Sequence, residues 1–376
     1  MTKQINITKE LFFKVYTNYN TDLNKLQEKK RLSMSVAKKL YSAGLYRVSS
    51  NILNCANYAV RVTCPDCGET HHINLMYCRE RLCPLCQYKR SLKIKHNTMD
   101  IVKRVEEVNK DIQYLFITLT MRNCYGDELQ KAIDDELAAW AKLTDKRKRF
   151  KKVCRGYIRT LEVTYNAEKH SYHPHLHIIM AVSDDYFTNP SLYLTHNDIA
   201  EHWKTAMNLS YRPIIDVRAI TKEGQRVIID AGEDVNDDII IKKLNRRELQ
   251  YEHAVSEVCK YAVKFNYEKA PAIALKTLYE ALHGRRLISY GGIFRIAKQE
   301  LQIPDEENVS PEEELSFLEN GLCESCAGSE LMYELLRFDV GASMYSKVVS
   351  AAEMPQIAQK TYYDIKGEYV YYDDNL

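Results

Sequence analysis

A chain of 376 residues, 45% hydrophobic and 28% charged, can bury cores for two or three domains. It holds no run near the roughly 18 apolar residues of a membrane span. Met1–Lys3 opens no secretory signal, so the expected location is cytoplasmic with no membrane partner. The net charge of +2 hides a division: residues 1–299 carry 49 basic against 34 acidic side chains, residues 300–376 only 4 against 17. A basic body with an acidic tail suits a polyanionic partner, although a solvated surface gives the same count.

In chain order, residues 1–55 read as a helical N-terminal region with a basic stretch, Lys25–Lys39. Residues 56–98 form a cysteine-rich module, in which Cys64-Pro-Asp-Cys67 and Cys83-Pro-Leu-Cys86 are two knuckles 15 residues apart. Clustered thiols in a reducing compartment bind metal more often than they pair, and this spacing predicts a structural Zn2+ on Cys64, Cys67, Cys83 and Cys86. His71, His72 and Cys78 lie between the knuckles, and any of them could replace one ligand.

Residues 99–300 change character. Tyr114–Thr120 is a β-branched and aromatic run, a strand by composition. Asp127–Leu143 has helical spacing, with Leu129, Ile133, Leu137 and Trp140 on one stripe, and leads into Lys146–Lys152, six positive charges in seven residues. Strands Gly156–Tyr165 and His175–Val182 follow, then a helix near Asn197–Met207, strands Ile214–Ile220 and Arg226–Asp230, and a helix over Arg246–Phe265. This order predicts an α+β fold, an antiparallel sheet with packed helices. Residues 301–376 read as an acidic C-terminal region opened by a linker, where Cys323 and Cys326 are expected to be free thiols.

Two patterns carry chemistry. In His173-Pro-His175-Leu-His177-Ile-Ile-Met the alternation of a strand puts His175 and His177 on one face, about 7 Å apart, while Leu176 and Ile178 enter the core. With a turn centred near residues 169–170, Glu162 falls opposite His177 and shares its face, completing a catalytic Mg2+ or Mn2+ site with open positions for phosphate oxygens. His173, before Pro174, is expected outside the regular strand. In the helix over 246–265, Glu257 and Tyr261 stand four apart and project together, with Lys260 and Lys264 alongside. A phenol with a pKa near 10 needs help from a cation, and a carboxylate one turn away can later activate water.

Phe116-Ile-Thr-Leu-Thr120, His175-Leu-His177 and Glu257-x-x-x-Tyr261 resemble, in this order, the three motifs of rolling-circle replication initiators from small bacterial plasmids, members of the HUH endonucleases. Cys78-Arg-Glu-Arg-Leu-Cys-Pro-Leu-Cys-Gln87 and Arg286-Leu-Ile-Ser-Tyr-Gly-Gly292 resemble further segments of that branch. The resemblance covers about Cys64 to Phe294. It implies an HUH-type sheet and an enzyme whose Tyr261 attacks one strand at the double-strand origin. The products would be a 5′-phosphotyrosine and a free 3′-hydroxyl primer, with Glu257 assisting release. The implied partners are plasmid origin DNA, a host helicase and a polymerase, with Arg147, Arg149, Lys260, Lys264 and Arg286 as expected DNA contacts. The rival readings are a single-strand transposase of the same superfamily, a conjugative relaxase, and a zinc-stabilised DNA-binding protein without catalysis.

Overall fold

The structure is a computed structural model, and it describes residues 23–66, 68, 70–146, 148–221, 248–250, 254–255, 258, 267, 269–305, 331–348 and 355–366. The chain divides into two compact units, Met1–Lys93 with Glu306–Leu376, and Ile94–Asp305. Elements are numbered in chain order.

The first unit is discontinuous. Helices α1 (Leu23–Ser42) and α2 (Tyr46–Asn54) precede strands β1 (Tyr58–Thr63) and β2 (Thr70–Asn74), and α3 (Pro84–Val108) contributes its residues up to Lys93. Strands β9 (Met332–Asp339) and β10 (Met344–Lys347) and helix α9 (Gln356–Lys366) come from the far end of the chain. The four strands form one antiparallel sheet in the order β10-β9-β1-β2, with Tyr58 opposite Arg337 and Thr63 opposite Met332. Period-two alternation sends Tyr58, Val60 and Val62 into a core with Ile73, Leu75, Leu335 and Ala358. Of the expected segments 1–55, 56–98 and 301–376, the described residues up to Lys93 and from 331 onward thus share this unit, while 94–98 and 301–305 belong to the second. On α1, Leu26, Lys30, Ser33, Ala37 and Leu40 are all buried at helical spacing, so one lysine of the basic stretch occupies a core position.

The second unit holds a six-stranded sheet in the order β7-β6-β3-β5-β4-β8. Its strands are β3 (Ile112–Thr120), β4 (Gly156–Asn166), β5 (Ser171–Ser183), β6 (Ile215–Thr221), β7 (Glu248–Gln250) and β8 (Ile288–Gly292). All neighbours are antiparallel except the short β6–β7 pair. Helices α4 (Leu129–Lys146), α5 (Lys148–Val153), α6 (His196–Ala206), α7 (Ala272–Leu282) and α8 (Ile293–Glu300) complete the α+β architecture the sequence predicts. Trp140 of α4 meets the Tyr157 ring edge-on at 5.0 Å, and the fully buried Trp203 of α6 donates to Thr120 O at 2.9 Å. Thr195 and Asp198 cap each other's backbone amides in a capping box that starts α6. Within the basic run, Phe150 is buried against Trp140 and anchors α5.

Two expectations change. Strand β5 begins at Ser171, so His173 lies within it rather than outside. Pro174 is tolerated there because β3 pairs with β5 only as far as Thr120–His175, so Pro174 has a ladder partner only on β4. Glu248–Gln250 is a strand where a helix was expected, and Ala254, Val255 and Val258 are helical and fully buried. The strand expected at 226–230 lies outside the described residues. Among the described residues no helix is long and apolar enough to cross a membrane.

Candidate active site and metal centre

β5 lies between β3 and β4, and its alternation separates two environments. Leu176, Ile178 and Met180 are fully buried on one face. His175 and His177 project from the other, their rings 4.8 Å apart and nearly perpendicular. Antiparallel partners share a face, so Glu162, opposite His175, and Thr160, opposite His177, join them from β4. The sequence expectation of Glu162 opposite His177 is off by two residues, because the β4–β5 turn is centred earlier, between Asn166 and Ser171. A slip of two preserves the face.

One ligand atom each from Glu162, His175 and His177 lies within 4.8 Å of the others. Glu162 Oε2 is 3.2 Å from His177 Nε2 and 3.8 Å from His175 Nε2, and its side chain is only 2% exposed. The second ring nitrogens are occupied. His175 Nδ1 lies 3.1 Å from His173 O. A carbonyl only accepts, so that nitrogen carries a proton and Nε2 is the atom left to face a cation. His177 Nδ1 is 3.1 Å from Thr118 Oγ1, and Phe116 stacks on the ring at 5.6 Å. Burial pushes the Glu162 carboxyl up, but hydrogen bonds and charge from His175 and His177 outweigh it and hold the group well below the usual carboxylate range. Burial and the neighbouring His175 push His173 down. Two imidazole lone pairs and one ionised carboxylate, converging from two paired strands, fit a divalent cation that keeps positions open for substrate oxygens.

The second cluster lies in the first unit. Cys55, Cys78, Cys83 and Cys86 bring their sulfurs within 4.8 Å of one another. Cys55 Sγ is 3.5 Å and Cys78 Sγ 3.6 Å from Cys86 Sγ, and the Cys78 amide donates to Cys55 Sγ at 3.4 Å. Cys83 immediately precedes α3 and Cys86 lies in its first turn, which opens on Pro84, a residue suited to a first helical position. The unpaired amides of a helix start favour thiolates. Burial would raise the Cys83 thiol, yet hydrogen bonds from Cys55, Cys78 and Cys86 hold it well below the usual thiol range. Of the four expected ligands, Cys83 and Cys86 are in the cluster. Cys64 is buried at the end of β1 and is not one of the four, and Cys67 lies outside the described residues. Cys78 takes one of the places it could take, and Cys55 takes the other.

The remaining expected residues are placed less fully. Glu257, Lys260, Tyr261, Lys264 and Arg147 lie outside the described residues, and Arg149 is described only as a residue of α5. Arg286 is exposed and pairs with Asp305 at 3.1 Å. The sequence reading gave no role to Thr118, though it lies in the quoted Phe116–Thr120 run at the alternate position that faces His177. It missed Cys55, which has no second cysteine two or three residues away to mark it.

A model of the replication protein family Rep_1 matches residues 71–324, two thirds of the chain. The chain belongs to this family. It is the family anticipated by the ordered motifs, and the match spans the histidine pair and Glu162. The chain is 34% identical to a protein named "Protein rep" from Bacillus amyloliquefaciens over 291 residues, 74% of this chain and 81% of that one. It is 32% identical to a "Protein rep" from Lactiplantibacillus plantarum over 64% of this chain and 75% of the relative. A "Replication protein" from Staphylococcus aureus is 29% identical over 57% and 85%. No solved structure matches the chain.

Proposed function

We propose that this protein initiates rolling-circle replication of a plasmid as an HUH-type nickase and strand transferase. The observation that carries the reading is the convergence of His175, His177 and Glu162 on one strand face in a member of a replication protein family. Bound there, Mg2+ or Mn2+ would polarise a phosphate oxygen of the scissile strand. Tyr261, in the third ordered motif, is the nucleophile. Its phenolic oxygen forms a bond to phosphorus as the bond from phosphorus to the 3′-oxygen breaks. The phenol loses its proton and the departing 3′-oxygen gains one, leaving a 5′-phosphotyrosine and a 3′-hydroxyl primer. Glu257, one turn before Tyr261, serves as the base for hydrolysis at termination. Thr118 and the His173 carbonyl orient the two imidazoles. Origin DNA is the substrate, contacted by Arg147, Arg149, Lys260, Lys264 and Arg286, with a host helicase and polymerase acting on the nicked product. The family assignment favours this reading over a transposase or a non-catalytic DNA-binding protein.

The test is adduct formation. Full-length protein with Mn2+ and a single-stranded oligonucleotide spanning the plasmid's origin should give a covalent protein–DNA species. Tyr261→Phe should abolish it, and Glu257→Ala should leave nicking intact while slowing release. Undiminished adduct from Tyr261→Phe sinks the assignment.

A further inference from the structure

We infer that Cys55, Cys78, Cys83 and Cys86 hold one zinc ion as four thiolates, that buried Lys30 is its counter-charge, and that the ion fastens the C-terminal hairpin β9–β10 to its unit. Four sulfurs with mutual distances under 4.8 Å meet the ligand number and type of a closed tetrahedral site, which leaves the described Cys64 outside it. Zinc with four thiolates carries two net negative charges, and burying them calls for a nearby cation and donors. Lys30, 1% exposed, supplies the charge, and the Cys78 amide donates to Cys55 Sγ. Lys30 Nζ donates to Cys55 O at 2.6 Å, Leu53 O at 2.8 Å and Asn57 Oδ1 at 2.7 Å. Ser33, one turn further along α1, places its hydroxyl 3.7 Å from Cys83 Sγ.

The hairpin grips the backbone immediately after Cys55. Ala56 adopts a left-handed conformation (φ +52°), a position an alanine holds only when its surroundings fix it. Its N–H donates to Met76 O at 2.9 Å, and its carbonyl accepts from Tyr345 Oη of β10 at 2.6 Å. Asn57 O accepts from the Phe338 amide of β9 at 2.9 Å. The Phe338 ring lies edge-on to Tyr345 at 5.2 Å and 5.8 Å from Lys30 Nζ. Fixing Cys55 and docking the hairpin therefore order the same three residues, so each lowers the cost of the other.

The experiment uses full-length protein. Zinc content should be about one per chain, and Co2+ substitution should give the charge-transfer absorption of a tetrahedral four-thiolate site. Cys55→Ser and Cys78→Ser should lose that signature, while Cys64→Ser and Cys67→Ser keep it. Lys30→Met and the near-isosteric Tyr345→Phe should each weaken zinc retention against a chelator by about tenfold. Stripping the zinc should speed amide exchange across residues 332–347 and leave residues 171–183 protected, which also reports that the second sheet remains folded. Absence of zinc, a full four-thiolate signature in Cys55→Ser, or unchanged exchange of 332–347 in the stripped protein would each overturn the inference.

Discussion

At Thr118 the hydroxyl lies 3.1 Å from His177 Nδ1, and Thr118→Val removes that contact while keeping the branched shape. Freed of its partner, the imidazole samples the wrong tautomer and orientation, and losses of this kind cost about 10–100-fold in metal affinity or activity. We expect Mn2+ titration of adduct formation to shift by that factor with the melting temperature nearly unchanged. A shift in melting alone would make Thr118 a packing residue only. Glu136 poses a different problem. It sits in α4 at a core position, fully buried, with both oxygens lacking a hydrogen bond. Burial raises its carboxyl well above the usual range, and the opposing charge of Arg159 does not compensate. The folded protein keeps this proton at pH values where the unfolded chain, ionising near 4.5, has released it. Stability is therefore greatest below that value and declines as pH rises toward the folded pKa. Urea unfolding at pH 5, 6 and 7 should show the advantage of Glu136→Gln over the native residue growing with pH, and a constant difference would refute the assignment.

Among the elements, the β4–β5 hairpin shows why part of the site was legible. His175-x-His177 announces a shared face through strand periodicity, and Glu162 follows from counting across a turn. The partner was misassigned by two residues because the turn is centred earlier than 169–170, yet the shared face survived because side chains repeat every two. Cys55 and Lys30 were hidden for the opposite reason. A lone cysteine at the end of a helix has no spacing to betray it, and a lysine in a basic stretch looks solvated until the helix is seen to bury that stripe. The paired glycines before α8 matched a family segment without a reason, and the packing supplies one. Gly292 has φ +56°, and a Cβ there would lie 2.1 Å from Arg155 O and 2.7 Å from Gly156 Cα. A Cβ on Gly291 would enter the Tyr157 ring at 2.3 Å. Gly292→Ala should therefore cost more than about 1 kcal/mol, read as a lower chemical-denaturation midpoint, and should loosen β8 from the edge of β4. An unchanged midpoint would mean the backbone there yields more freely than its packing implies.

For the molecule as a whole, the acidic tail proved hardest to read, because charge masked the alternation in Met332–Asp339 that puts Leu335 in the first core. Truncation after Asp305 should leave residues 171–183 protected from exchange while exposing the edge of β1, where the unpaired strand invites aggregation. Equal protection of β1 in the truncated and full chains would contradict the sheet order. Because some 270 residues separate β1 from β9, a ribosome adding roughly 5–20 residues per second needs on the order of 15–50 s between making the two. The histidine sheet can close while its neighbour still waits for half its strands. A message cut short between Asp305 and β9 would release a polypeptide with the β5 histidines in place and its thiol-bearing sheet short of two strands.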